Sequence, residues 1–274
     1  MTTALHGITT VHGNLMTDIR LAAQSGFDML EIYYPKLTRY LANGGTIERL
    51  NGHISAAGLT TGYVSALNNI ECYETVERQA LLKEAETITR LASQLGCDTV
   101  MVMPREEANR QTVDHLMDSI VRNMTDIAAI GRNYGIRYML ELPAFTPYRS
   151  IALANETIER VGADNVGIVL DFWHFFAAGD TPDDIARLDP SRIYCVHFGD
   201  GRVPRADEAW DENILRAYYP GEGEIDLRAW AAATNACGYQ GPWSIELISP
   251  ALWEEDPALL LPRLNGVMRE YMGA

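Results

Sequence analysis

The chain has few cysteines, few basic residues and no long apolar run. Its four cysteines, Cys72, Cys97, Cys195 and Cys237, include no pair at C-x-x-C spacing. Neither a zinc knuckle nor a redox pair is therefore signalled. Cys97 and Cys195 lie in or beside apolar runs and read as buried thiols. Lys and Arg number 22 against 37 Asp and Glu, a net charge of −15. Phosphate contacts need clustered cations, so general nucleic-acid affinity is excluded. Attraction to an anionic membrane surface is excluded on the same ground. No segment approaches the ~20 apolar residues of a membrane span. Residues 1–6 carry no basic stretch ahead of an apolar one. No signal peptide is expected, and a reducing cytoplasm is the expected setting. No Gly-x-Gly-x-x-Gly follows an early apolar run, which removes the main signal of a dinucleotide fold. Linkers and low-complexity runs are missing too, so residues 1–274 are expected to form one domain.

What is present is a repeat. A helical stretch, a glycine and an apolar run follow one another at Gly26, Gly58, Gly96, Gly135, Gly162 and Gly238. Glycine just past a helix relieves the left-handed cap conformation. Such units every 25–40 residues or so predict βα repetition and a parallel sheet. Residues 112–133 keep apolar side chains at a three-to-four-residue step: Val113, Leu116, Met117, Ile120, Met124, Ile127 and Ile130. Thr181-Pro182 and Asp256-Pro257 each offer an N-cap followed by proline at the first helical position. A first strand is expected near residues 5–9. Eight units fit 274 residues, and a length of roughly 250 is usual for a (β/α)₈ barrel. The expected fold is therefore α/β, a single eight-stranded parallel TIM barrel. The longest unpatterned stretch, residues 199–223, falls between the seventh and eighth strands, where a long rim loop is usually functional.

Four successive apolar runs end in a potential metal ligand. Arg137–Leu140 leads to Glu141, residues 166–170 to Asp171, residues 193–196 to His197, and Trp243–Ile245 to Glu246. In such a barrel the site lies at the C-terminal strand ends. Each residue alone reads as a solvated acid or a hydrogen-bonded histidine. Three carboxylates in register repel, and burial raises that cost; one divalent cation resolves both problems. An oxygen-rich set with one imidazole suits a hard ion. Glu31 ends Met-Leu-Glu at the rim of the second strand, where it binds a substrate hydroxyl or caps a helix. His6 and His12 flank the first strand, and His12 is the one expected in the pocket. Arg105, just past the fourth strand, is placed to meet an anionic group.

These residues carry a resemblance. Glu141, Leu-Asp171-Phe-Trp-His174, Val-His197-Phe-Gly-Asp200-Gly-Arg202, Gly-Glu-Gly-Glu-Ile-Asp and Ile-Glu246 together resemble the xylose-isomerase-like barrel superfamily. That group includes sugar-phosphate isomerases, ketose 3-epimerases, inosose isomerases and dehydratases, and endonuclease IV. The resemblance implies that Glu141, Asp171, His197 and Glu246 bind one divalent ion, commonly manganese, magnesium or cobalt. It implies that the two glutamates also exchange protons with substrate, and that His174 and Arg202 bind it. The implied activity is isomerisation or epimerisation of a sugar or polyol ketone through a metal-stabilised enediolate. A dehydratase of inosose or dehydroshikimate type needs the same residues, and a non-catalytic sugar-binding barrel is the third alternative. A homo-oligomer is compatible with all three. Asp200 is either a partner of His197 or a turn residue, and Gly221-Glu222-Gly223-Glu224 reads as a tight turn. Two departures stand out. The third and fourth strands end in Asn68 and Arg105, not the histidines of endonuclease IV. Position 147 is proline, where ketose epimerases carry a second glutamate. Phe145, Tyr148, Phe172 and Trp173 are expected to add an aromatic mouth that suits a ring-shaped polyol or cyclic keto acid at least as well as an open-chain sugar.

Overall fold

The computed structural model describes residues 2–273. Eight parallel strands close on themselves in chain order: β1 (Thr3–His6), β2 (Met29–Tyr33), β3 (Thr60–Asn68), β4 (Thr99–Met103), β5 (Arg137–Leu140), β6 (Val166–Asp171), β7 (Ile193–Phe198) and β8 (Trp243–Ile245). β8 returns to pair with β1, so no sheet edge is left open. The first helices are α1 (Leu15–Gln24), α2 (Tyr34–Ala42), α3 (Ile47–Ala56), α4 (Thr75–Gln94), α5 (Val113–Arg132) and α6 (Ile151–Val161). They are followed by α7 (Phe172–Ala178), α8 (Pro182–Ala186), α9 (Glu212–Leu215), α10 (Leu227–Ala236) and α11 (Pro257–Met272). The expected (β/α)₈ barrel is the observed fold.

The helix boundaries follow local chemistry. Thr112 accepts the His115 N–H and starts α5, and Asp256 accepts the Ala258 N–H and starts α11. At α8, Asp184 accepts from both the backbone and the hydroxyl of Thr181, closing a capping box. All six glycines of the sequence repeat have positive φ. β1 differs from expectation: it ends at His6 rather than Thr9. Beyond His6 the chain turns, with the Thr9 N–H donating to the His6 carbonyl. The Thr9 and Thr10 hydroxyls are used by Ile245 and Asp18 instead of by a strand surface.

Alternation along the strands sorts the core into two layers. Val100, Val102, Tyr138, Leu140, Ile168, Leu170 and Val196 point outward and pack under the helices. Tyr63, Met101, Met103, Met139, Val169, Tyr194 and Cys195 form a separate apolar filling inside the barrel. This parity decides what the strand ends present. Leu5, Leu30, Ile32, Leu140, Leu170, Val196 and Ile245 are outward residues. Their neighbours His6, Glu31, Glu141, Asp171, His197 and Glu246 must therefore face the axis, above the apolar plug.

Candidate functional site

All six of these inward residues are buried. Glu141, Asp171, His197 and Glu246 each offer one ligand atom, and those atoms lie within 4.8 Å of one another. His197 Nδ1 is the hub: Glu246 Oε2 is 3.1 Å away, Glu141 Oε1 3.4 Å and Asp171 Oδ2 3.8 Å. Ligands around a common ion at about 2.1 Å stand roughly 3.0–3.4 Å apart, so most of these gaps have the right size. The opposite ring nitrogen, Nε2, lies 3.1 Å from both oxygens of Glu31. In the neutral ring its proton therefore goes to Glu31, and Nδ1 is left bare. Glu31 is held in turn by the Ser65 hydroxyl. A carboxylate orienting a histidine in this way is the usual outer support of a metal ligand.

Two atoms test whether a cation fits. His197 Nδ1 and Glu141 Oε1 are buried without a hydrogen-bond partner among the described residues. Orphaned acceptors at the focus of several carboxylates are costly unless a cation completes them. The local field agrees. Burial disfavours a charged His197, but Glu31 and Glu246 outweigh it and hold its pKa well above the ordinary imidazole value. The same carboxylates that attract a proton attract a metal ion. Burial raises Glu141, whereas at Glu246 the nearby Arg216 and His197 overcome burial and hold the carboxyl well below its usual range. Burial also pushes Glu31 up, but His197 and His6 prevail and hold it down to about 2.

Arg216, absent from the sequence expectations, enters this cluster. Its Nη2 donates to Glu246 Oε2 at 2.8 Å and to Asp171 Oδ2 at 3.2 Å. Nη1 reaches Glu212 at 3.2 Å, and the guanidinium lies 5.2 Å from the Trp173 ring centroid. The residue follows α9, inside the loop of residues 199–223. Asp200 braces that loop by accepting the N–H groups of Gly201, Gly221 and Gly223, with Ile225 at longer range. The tight turn at residues 221–224 is thus built around the Asp200 carboxylate.

Above the cluster lies a cavity of about 560 Å³. His6, Glu141, Glu246, His174, Glu212, Arg216 and Arg105 line it, with Tyr33, Tyr34, Asn68, Met101 and Met103. The Ala144 N–H donates to His174 Nδ1, leaving Nε2 toward Arg216 and Glu212. Three expected residues lie elsewhere. Glu31 neither lines the cavity nor caps a helix, because His197 and the Ser65 hydroxyl occupy its carboxylate. Arg202 is turned to Glu208 in a two-pronged ion pair and also donates to the Tyr218 hydroxyl. His12 packs edge-on against Trp253 and lines a different, smaller cleft. Because β1 ends early, His6 takes the inward position and His12 falls beyond the turn.

The chain belongs to the xylose isomerase-like TIM barrel family, whose sequence profile matches residues 19–263. Inosose isomerase of Halalkalibacterium halodurans is 26% identical over 250 residues, covering 90% of this chain and 87% of that one. A 3-dehydroshikimate dehydratase of Pseudomonas aeruginosa is also 26% identical, over 88% of this chain but only 37% of the longer relative. Among solved structures, the IolI protein with a bound zinc atom superposes with a TM-score of 0.91 at 23% identity, covering 99% of this chain and 98% of that one. D-psicose 3-epimerase from Clostridium cellulolyticum H10 gives 0.76 at 17% identity over 99% of this chain and 98% of that one. These two superpositions show a shared fold. Among the described residues, no helix is long and apolar enough to cross a membrane.

Proposed function

We propose that the protein is a divalent-metal-dependent isomerase or epimerase of a sugar or cyclic polyol ketone, an inosose being the first substrate to try. One observation carries the reading: four ligand atoms lie within 4.8 Å of one another, and the two glutamates among them line a substrate-sized cavity. Glu141, Asp171, His197 and Glu246 would hold the ion. Manganese, magnesium, cobalt and zinc all accept such a set. When bound, the cation supplies Lewis-acid stabilisation of negative charge developing on a carbonyl oxygen.

The chain's own groups account for the rest. Glu141 and Glu246 end β5 and β8 and approach one point from two sides, so one removes an α-proton and the other returns it. Return to the same carbon from the other face epimerises; return to the neighbouring carbon isomerises. Arg216 balances the excess of carboxylates and holds Glu246 in place. His174 and Arg105 line the cavity where substrate oxygens must lie, while Glu31 fixes His197 in the tautomer that frees Nδ1. The match to 3-dehydroshikimate dehydratase favours a second reading, in which the same proton removal expels a neighbouring hydroxyl as water.

The test is to strip the protein with a chelator, reload it with manganese, magnesium, cobalt or zinc, and follow an inosose and 3-dehydroshikimate by proton NMR. Reloading restores turnover, and the product's mass separates isomerisation from water loss. Glu246→Gln lowers kcat by about 10³-fold or more. Full activity in that variant, or in the stripped protein, ends the proposal.

A further inference from the structure

A second group of potential ligands sits beside the first. His6, Glu31 and His197 also bring candidate atoms within 4.8 Å of one another. Hydrogen bonding decides against a second ion there. A neutral His197 has only one bare nitrogen, Nδ1, and it faces the first cluster. Its other nitrogen carries the proton shared with Glu31. His6 is constrained in the same way by a backbone group. The Ile8 N–H donates to His6 Nδ1 at 3.0 Å, so a neutral His6 carries its proton on Nε2. To bind an ion, Nε2 would have to give up that proton, and moving it to Nδ1 would break the Ile8 hydrogen bond.

The Nε2–H of His6 is left without a committed acceptor. It lies 3.6 Å from Glu31 Oε1 and 3.6 Å from Glu246 Oε1, beyond hydrogen-bond length from either. It is buried and has no partner among the described residues. Yet His6 lines the cavity. Glu246 therefore shows two faces: Oε2 turns to Arg216 and His197, and Oε1 turns to His6.

We propose that His6 is a fixed hydrogen-bond donor to a substrate oxygen, set beside the free oxygen of Glu246, and not a ligand of a second cation. The Ile8 N–H sets the tautomer, the edge-on ring of His197 at 5.4 Å limits its rotation, and the oxygen it selects is one adjoining the carbon that Glu246 serves. A hydroxyl or carbonyl oxygen satisfies the orphaned donor; a methylene leaves it bare, so deoxy analogues are discriminated against. The role toward substrate rests on the function proposed above, whereas the tautomer and the ion count do not.

Two measurements test it on the intact protein. With ¹⁵N-labelled histidine, long-range ¹H–¹⁵N correlation spectra before and after zinc loading report each ring. His6 is expected to keep a protonated Nε2 and a bare Nδ1 in both states, with one zinc bound per chain. Two zinc ions per chain, or a His6 Nε2 that loses its proton on loading, overturns the proposal. In kinetics with an inosose, His6→Ala is expected to lower kcat/KM by about 10- to 100-fold, with zinc affinity unchanged. His6→Gln, which keeps an amide donor, recovers part of the loss. Unchanged kcat/KM in His6→Ala overturns the substrate contact. If the wild type is inert toward inosose and dehydroshikimate, the proposed function falls. The spectra and zinc count then still decide whether His6 is a donor or a ligand.

Discussion

Two buried clusters of charge sit in this barrel and differ in kind. The first joins α1 to α2. Lys36 Nζ donates to both oxygens of Asp18 at 2.9 and 2.8 Å and to the Thr10 carbonyl at 2.6 Å, and the Thr10 hydroxyl donates to Asp18 at 2.6 Å. One cation meets one anion, and every bond is made inside the group. Burial pushes Asp18 up and Lys36 down, and their mutual attraction opposes both shifts. The second cluster, at the strand ends, gathers four carboxylates around one arginine and leaves His197 Nδ1, Glu141 Oε1 and His6 Nε2 unpaired. A closed network is architecture. A network that stays open although buried is built for something that arrives from outside.

The contrast can be broken deliberately. The largest expected effect on stability is at the closed cluster. Lys36→Met strands the Asp18 carboxylate and is expected to cost about 3–5 kcal/mol in urea unfolding, with kcat per folded molecule unchanged. Adding Asp18→Leu removes the stranded charge and recovers most of that loss; no recovery would mean that the pair contributes through more than charge balance. A middle-sized effect is expected where the rim loop is braced. Asp200→Ala strips the acceptor from several backbone N–H groups and is expected to cost about 2 kcal/mol. Hydrogen exchange should rise first at Gly221, Gly223 and Ile225, and kcat should fall because Arg216 is carried by the same loop. The smallest effect is at Asp180, where burial outweighs the Ile151 N–H bond and pushes the carboxyl up to about 6. A carboxyl raised on folding stabilises most below its unfolded pKa near 4, and that contribution disappears as pH rises through 6. Asp180→Asn keeps an acceptor for Ile151 and should therefore gain stability above pH 6, by less than about 1 kcal/mol because the group is half-buried. Thermal melts of both proteins from pH 4 to pH 8 would show the curves converging at the acid end; parallel curves would refute it.

Much of the fold was legible because its signals are short-ranged. β5 and β8 fall on their apolar runs residue for residue, since a glycine cap fixes where each helix stops and the next run begins. β1 was harder to place because threonines at 9 and 10 suit a strand by propensity, yet their hydroxyls are taken up by neighbouring elements. The same kind of signal reaches the strand-end ligands: a polar residue closing an inward-facing register position can be read from alternation alone. Arg216 could not be read in this way. Residues 199–223 hold three arginines, and no periodicity distinguishes them. Which one enters the cavity depends on α9, a four-residue helix, and on the Asp200 brace, both of them set by tertiary contacts. The choice between His6 and His12 likewise depended on a strand boundary three residues away.

The Asp200 brace has one more consequence. In eight-stranded barrels the rim after the seventh strand, where glycine N–H groups converge, is a frequent resting place for a phosphate. Here the protein has put its own carboxylate there, and the Gly201, Gly221 and Gly223 N–H groups are already spoken for. A phosphorylated sugar would have to displace an internal anion to bind in that position. The glycine cradle at this rim is thus filled from within, by a side chain of the same chain.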